Sequence, residues 1–297
     1  ADARLRALEP GLHEGLLRLR DRVRANRSSL ATIATLYSMK NTMGYGVNSF
    51  VDHETAVDIL LHLVIGSEGT LGIVTRAILR LVPAQEARST LVATFPTVHA
   101  AADAVVAIRS TMRPCLCELM DQAAVNAVED YRSMGLDRTA GALLLVQSDA
   151  PGAVRSVEIA TMQAACTTAG AIECFVTDDA EEGEMFVQAR RISFHALEAR
   201  GALLLEDVGV PIPLLPDLLA RIVAISEAHG IEIPTVAHAG DGNTPPLIVY
   251  AADDPDSERR ARLAFGEVMG AAIALGGTIT GEHGVGRAKA AALPDQL

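Results

Sequence analysis

The sequence predicts an α+β protein in which an antiparallel sheet is backed by helices. Two observations carry that expectation. From residue 89 onward, short apolar runs alternate with segments of helical periodicity, and glycine- or proline-bearing turns separate them. No short internal repeat or low-complexity segment interrupts the alternation.

Leu5, Leu8, Leu12, Leu16 and Leu19 fall at helical spacing with arginines between them, so residues 3–25 read as one amphipathic helix. A turn-rich stretch, YSMKNTMGYG, leads to the apolar helix AVDILLHLVI. The loop GSEGTLG (66–72) then opens a strand, IVTRAILRLV, which Pro83 ends. Beyond AQEAR come strand 89–95, helix 99–112, strand 114–120, helix 121–131, strand 142–149, helix 151–169 and strand 171–177. A helix through 180–199 opens on the acidic run DDAEEGE, which suits a helix N-terminus. The strand ALLLEDVGV, a helix at 213–229, the strand PTVAHA, the arm PLIVYA, a helix at 256–275 and the strand-like GGTITG complete the chain.

At 297 residues, the chain has room for two domains. Apolar residues make up 49% and charged residues 21%, a globular profile. A net charge of −12 argues against nucleic acid or an anionic membrane surface as the main partner. Cys115, Cys117, Cys166 and Cys174 lack C-x-x-C spacing, which disfavours a zinc ribbon, a redox motif or an iron–sulfur cluster. Cys115 and Cys117 alternate along a strand and read as core residues. No apolar run approaches the roughly 20 residues of a membrane-spanning helix. The N-terminus ADARLRALEP is unlike a signal peptide and lacks Met, which reads as a piece of a longer chain.

Three glycine-bearing segments carry candidate chemistry. GSEGTLG exposes backbone N–H groups to a ligand, although alone it is more often a structural turn. HAGDGN (238–243) has the Asp-Gly of a type I′-like hairpin turn; the residues alone leave a plain hairpin and a site presenting His238 and Asn243 equally open. In TITGEHGVG (278–286), Glu282 and His283 are adjacent on a glycine-flanked bend, either a carboxylate–imidazole pair or a solvent-facing turn. Arg190 by itself reads as a solvated helix residue.

Together and in order, KNTMGYG (40–46), IGSEGTLGIVT (65–75), LEDVGVP (205–211), HAGDGN and GEHGVG resemble the FAD-dependent 2-hydroxy acid dehydrogenases of the vanillyl-alcohol oxidase superfamily. That group includes the flavin subunit of glycolate oxidase, D-lactate dehydrogenase and D-2-hydroxyglutarate dehydrogenase. The resemblance implies the C-terminal part of a PCMH-type FAD-binding domain at 1–85. A ferredoxin-like α/β substrate, or cap, domain with an antiparallel sheet would follow at 86–297. The first half of the flavin domain, with its pyrophosphate loop, is not among these residues, so the resemblance is to an N-terminally truncated member.

The resemblance further implies that Lys40, Asn41, Gly44 and Tyr45 line the FAD with Gly66, Ser67, Glu68, Gly69, Thr70 and Gly72. His283 would be the base, Arg190 the clamp on the substrate carboxylate, and Asn243 a third catalytic residue. A divalent metal, Zn or Mn, would be held by His238 and Glu282. The family's other metal-binding histidine falls on Pro245, which cannot ligate, and two protein ligands leave a weak or empty site. The implied activity is oxidation of a D-2-hydroxy acid by hydride transfer to FAD, with electrons passed to an acceptor protein or quinone. The alternative is a non-catalytic fragment or degenerate paralogue that binds a flavoprotein partner. A cytoplasmic protein, peripheral to the inner face of the membrane or free, with a homodimer among its assemblies, fits both readings.

Overall fold

The computed structural model describes residues 1–297. The chain forms two compact units, Ala1–Val82 with Thr280–Ala291, and Pro83–Ile279 with Ala292–Leu297. The boundary expected after residue 85 thus lies at Val82/Pro83, and twelve residues expected in the second domain belong to the first unit.

The first unit holds α1 (Asp2–Leu8), α2 (Pro10–Ala25), α3 (Arg27–Leu36), α4 (Ser49–Asp52) and α5 (Ala56–Leu63). The helix expected over 3–25 is therefore two. Pro10 has no N–H to bond back and occupies the first turn of α2, where none is needed. Leu16, Phe50, Ala56 and Ile59 form a small core. Arg24 donates to the carbonyl oxygens of Phe50 (3.0 Å), Val51 (3.0 Å) and His53 (2.9 Å), satisfying the end of α4. The strand expected at 73–82 does not form. Its backbone has no ladder partner, and Ile73, Val74, Ile78, Leu79, Leu81 and Val82 are 68–95% exposed. A strand exists only when a neighbour takes its hydrogen bonds, and apolar periodicity cannot supply one.

The second unit opens with β1 (Ser89–Phe95), α6 (Val98–Thr111), β2 (Leu116–Asp121), α7 (Gln122–Tyr131), β3 (Ala142–Ser148), α8 (Ala153–Thr168) and β4 (Glu173–Thr177). These strands pair antiparallel in the order β4-β1-β3-β2. That is the ferredoxin-like split βαβ arrangement, with α7 inserted between β2 and β3. The chain continues through α9 (Ala180–Glu198), β5 (Ala202–Leu205), β6 (Val208–Gly209), α10 (Leu215–His229), β7 (Val236–Ala237), β8 (Asn243–Thr244), β9 (Leu247–Tyr250), α11 (Pro255–Ala274) and α12 (Leu293–Gln296). Strand β7 adds to the free edge of β2, giving a five-stranded sheet.

Strand alternation divides the core. Val92, Met120, Leu143 and Leu145 pack with α7 and α9, whereas Leu91, Ala93, Leu119 and Leu144 point to the opposite face, where α6 and α8 pack. Helix α9 starts as its acidic run implies: the Asp179 side chain accepts from the N–H groups of Glu181 (2.8 Å) and Glu182 (3.1 Å).

Several expectations needed correction. The strand ALLLEDVGV splits, because β5 pairs with β9 while β6 pairs with β8, and the buried Glu206-Asp207 step lies between them. The GGTITG strand reduces to one bridge, Gly209 to Thr278. Cys117 is buried, but Cys115 precedes β2 and is exposed. No helix is long and apolar enough to cross a membrane.

Asp121, at the end of β2, has two structural duties. One oxygen caps α7 through the Ala124 N–H (2.8 Å), and the other accepts the Thr235 N–H (2.7 Å) just before β7. Burial pushes its carboxyl up to about 7, against the lowering effect of those two hydrogen bonds. Its folded pKa therefore exceeds the unfolded value of 3.8, so the folded state holds the extra proton between the two. Asp121 contributes most to stability below about pH 4, and that contribution is lost as pH rises through 7. Urea unfolding of the wild type should accordingly weaken from pH 4 to 7 relative to Asp121→Asn, by more than about 1 kcal/mol. Parallel pH profiles would contradict this account. Leu144→Ala, at the sheet centre, should cost about 3 kcal/mol in the same assay.

Candidate functional site

In the second unit, the segment His238–Asn243 leaves β7 and turns back into β8. The expected type I′ hairpin turn is instead a 3-10 turn at Ala239–Asp241 closed by Gly242 at φ 77°. His238 and Asn243 face each other across it in a single bridge. Only glycine serves at 242, because an added Cβ would lie 2.3 Å from the Val210 carbonyl oxygen. Arg109, in the last turn of α6, donates to the carbonyl oxygens of Gly240 (2.5 Å) and Met112 (2.7 Å), which anchors the turn.

His238 and Arg190 meet at a carboxylate that sequence reading missed. Glu118 Oε2 accepts from Arg190 Nε at 2.7 Å, and Oε1 lies 2.8 Å from His238 Nδ1. Arg190 Nη2 stands 3.4 Å from His238 Nε2. The side chains are 14% (Glu118), 21% (Arg190) and 35% (His238) exposed, so the carboxylate is the deepest of the three. A signal was present, since Glu118 is an acid inside the otherwise apolar run PCLCELM. Arg190 is therefore not the solvated helix residue its local context suggests. Asn243 is 1% exposed, and both of its amide atoms are buried without a hydrogen-bond partner in the protein. A buried polar atom left unsatisfied costs about 1–3 kcal/mol, which points to a ligand or water as its partner.

In the first unit, the two glycine loops and the GEHGVG bend are bonded together. Lys40 forms an ion pair with Glu282. Thr42 Oγ1 lies 2.9 Å from Thr280 Oγ1, and the Gly284 N–H donates to Thr280 Oγ1 at 2.8 Å. The Tyr45 hydroxyl is 3.0 Å from Thr70 Oγ1, which also donates to the Ser67 carbonyl (2.6 Å). A cavity of about 320 Å³ is lined by Tyr37, Asn41, Thr42, Gly44, His62 and Gly66 among others. Gly44, Gly66 and Gly69 take φ of 72°, 75° and 78°, and a Cβ at any of them would meet no atom within 4 Å. Glu68 also has positive φ. Backbone this open, beside amide and hydroxyl groups, fits the edge of a flavin. Lys40, Asn41, Gly44, Tyr45, the 66–72 loop, Glu282 and His283 all belong to this unit.

The residues present do not fit a divalent metal. No group of three or more His, Cys, Asp or Glu side chains gathers anywhere among the described residues. His238 is engaged by Glu118 and Arg190, Glu282 is engaged by Lys40, and Pro245 offers no donor.

Residues 84–297 match the family described as FAD linked oxidases, C-terminal domain. The chain belongs to that family. The glycolate oxidase subunit GlcD of Bacillus subtilis is 38% identical over 240 residues, covering 80% of this chain and 51% of that protein. The D-lactate dehydrogenase of Archaeoglobus fulgidus is 30% identical, covering 87% of this chain and 54% of that protein. The chain thus spans about half the length of the curated relatives it matches. Among solved structures, 4-ethylphenol oxidase from Gulosibacter chungangensis aligns with a TM-score of 0.52 at 14% identity, over 68% of this chain and 47% of that one. p-Cresol methylhydroxylase aligns with a TM-score of 0.50 at 11% identity, over 67% of this chain and 46% of that one. At these identities the likeness is one of fold, and it agrees with the mixed helix and antiparallel sheet described above.

Gly242→Ala should destabilise the second unit by about 2 kcal/mol or more, combining a positive-φ penalty with a backbone clash. A thermal melt unchanged to within a degree would refute the packing of this turn.

Proposed function

We propose that this chain takes part in FAD-dependent oxidation of a D-2-hydroxy acid of the glycolate, D-lactate or D-2-hydroxyglutarate class. The observation that carries the proposal is the Arg190–Glu118–His238 cluster beside the buried Asn243 amide in a chain of the FAD linked oxidase family. The names of relatives, a glycolate oxidase subunit and D-lactate dehydrogenases, support the substrate class.

In this reading the guanidinium of Arg190 holds the substrate carboxylate, a planar fork against a planar anion. Asn243 supplies a donor and an acceptor to the polar end of the substrate, ending the isolation of its amide. His283 takes the proton of the 2-hydroxyl as the C–H bond breaks, leaving a 2-oxo acid. Bound FAD supplies the hydride acceptor for that bond. Lys40, Asn41, Gly44, Tyr45 and the loop Gly66, Ser67, Glu68, Gly69, Thr70, Gly72 form the flavin-facing part of the first unit. His238 and Glu282 act as hydrogen-bonding residues, with no step assigned to a metal. Electrons then pass to an acceptor protein or quinone.

Residues 1–82 are, in the same reading, part of a larger flavin-binding domain. The exposed apolar segment 73–82 supports this, because it is a β sequence awaiting a sheet neighbour. Four free thiols support a reducing, cytoplasmic setting.

The purified protein together with the rest of the flavin-binding domain that this reading requires, supplied with FAD, should retain flavin absorbance and reduce a dye in the presence of glycolate or D-lactate. A colourless protein inert to every 2-hydroxy acid would overturn the proposal. Arg190→Lys keeps the charge but loses the fork, and should raise KM for the acid by about tenfold with a smaller change in kcat. An unchanged KM would remove Arg190 from the carboxylate site.

A further inference from the structure

Glu118 is unusual in its surroundings. Alternation along β2 puts it on the same face as Met120, opposite Leu145 in the ladder, on the side covered by α7 and α9. An ionised carboxylate on such a face is costly unless each oxygen is used. Both are used, and by groups from distant parts of the chain. Arg190 comes from α9, 72 residues away, and His238 from the end of β7, 120 residues away.

The donor and acceptor inventory fixes more than distance. Ionised glutamate only accepts, so the 2.8 Å contact requires the proton of His238 on Nδ1. The lone pair then resides on Nε2, which faces Arg190 Nη2 at 3.4 Å, and a guanidinium only donates. Glutamate, imidazole and guanidinium thus close a ring whose polarity is consistent with neutral His238 as the Nδ1–H tautomer. An imidazolium would turn a second N–H toward the guanidinium.

We infer that Glu118 is a positioning residue of the hydroxy acid site: its two oxygens set the direction of the Arg190 fork and hold His238 as the Nδ1–H tautomer. The inference rests on the proposed role of Arg190 at the substrate carboxylate. It goes beyond that role by making one carboxylate answerable for two functional side chains, so that they shift together when it changes. A plain stabilising salt bridge would have no bearing on which nitrogen of His238 carries the proton.

Two measurements test this. The first is the tautomer of His238, read from imidazole 15N shifts in the wild-type chain and in Glu118→Gln. The wild type should show Nδ1–H, and the variant, which has one acceptor where two are needed, should show a mixture or Nε2–H. A wild type in the Nε2–H form would overturn the inference without recourse to any variant, and so would an unchanged tautomer in a folded Glu118→Gln. The second is steady-state kinetics of the flavin-loaded protein with glycolate and D-lactate. Glu118→Gln should raise KM by about 10- to 100-fold, the loss of one charge-assisted hydrogen bond's orientation, with a smaller fall in kcat. Glu118→Asp, which keeps the charge but shortens the reach, should fall between the two proteins. Wild-type KM and kcat in a folded Glu118→Gln would overturn the inference. If no hydroxy acid is oxidised by the wild type, the functional reading fails, while the tautomer still decides whether Glu118 orients His238.

Discussion

Strand β7 contributes only Val236 and Ala237 to the sheet, yet the turn bearing His238 and Asn243 hangs from it. So short a ladder holds little by itself, and two carboxylates on β2 complete the attachment. Asp121 takes the Thr235 N–H on the near side of β7, and Glu118 takes the His238 imidazole on the far side. Between them, Leu119 and Met120 pair with Ala237 and Val236. Everything placed at the site in the second unit depends on that staple: His238 directly, Arg190 through Glu118, and Asn243 through its bridge to His238. Arg109 and the close approach of Gly242 to Val210 lock the turn from outside the sheet.

The first unit solves a different problem with fewer means. Its apolar core is small, and much of its order comes from polar side chains that close helix ends and loops, Arg24 at α4 and Thr42 with Thr280 at the GEHGVG bend. The positive-φ positions at 44, 66, 68 and 69 are strained or glycine-only geometries, which persist when the loop must expose its N–H groups. That geometry suits the proposed reading, in which the loop faces a cofactor. The apolar segment 73–82 shows the converse, a sequence with strand character that stays irregular because no ladder partner is available to it.

Much of the second unit was legible from periodicity. The strands β1, β3 and β4 and the helices α6, α9 and α11 lie within a few residues of where the apolar patterns put them, because each buries a single well-marked face. Departures occurred where pairing, not pattern, decides. The run ALLLEDVGV is continuous as a string but serves two different partner strands, so it breaks at Glu206-Asp207. The long N-terminal helix broke at Pro10, a signal the leucine spacing obscured. The Asp-Gly pair in HAGDGN suggested a hairpin turn, and the tight contact with Val210 imposed another geometry.

What the sequence alone determined is the inventory: an α+β alternation, glycine-bearing loops in a family-specific order, and Arg190, His238, Asn243, Glu282 and His283 as the groups worth watching. The tertiary structure alone decided their company. It set Glu118 between Arg190 and His238, bound Glu282 to Lys40, and left no three-ligand cluster for a metal. The reason is physical. Periodicity reports which face of an element is apolar, but a buried charge must find its partner across the fold, and those partners here lie 72, 120 and 242 residues apart in the chain.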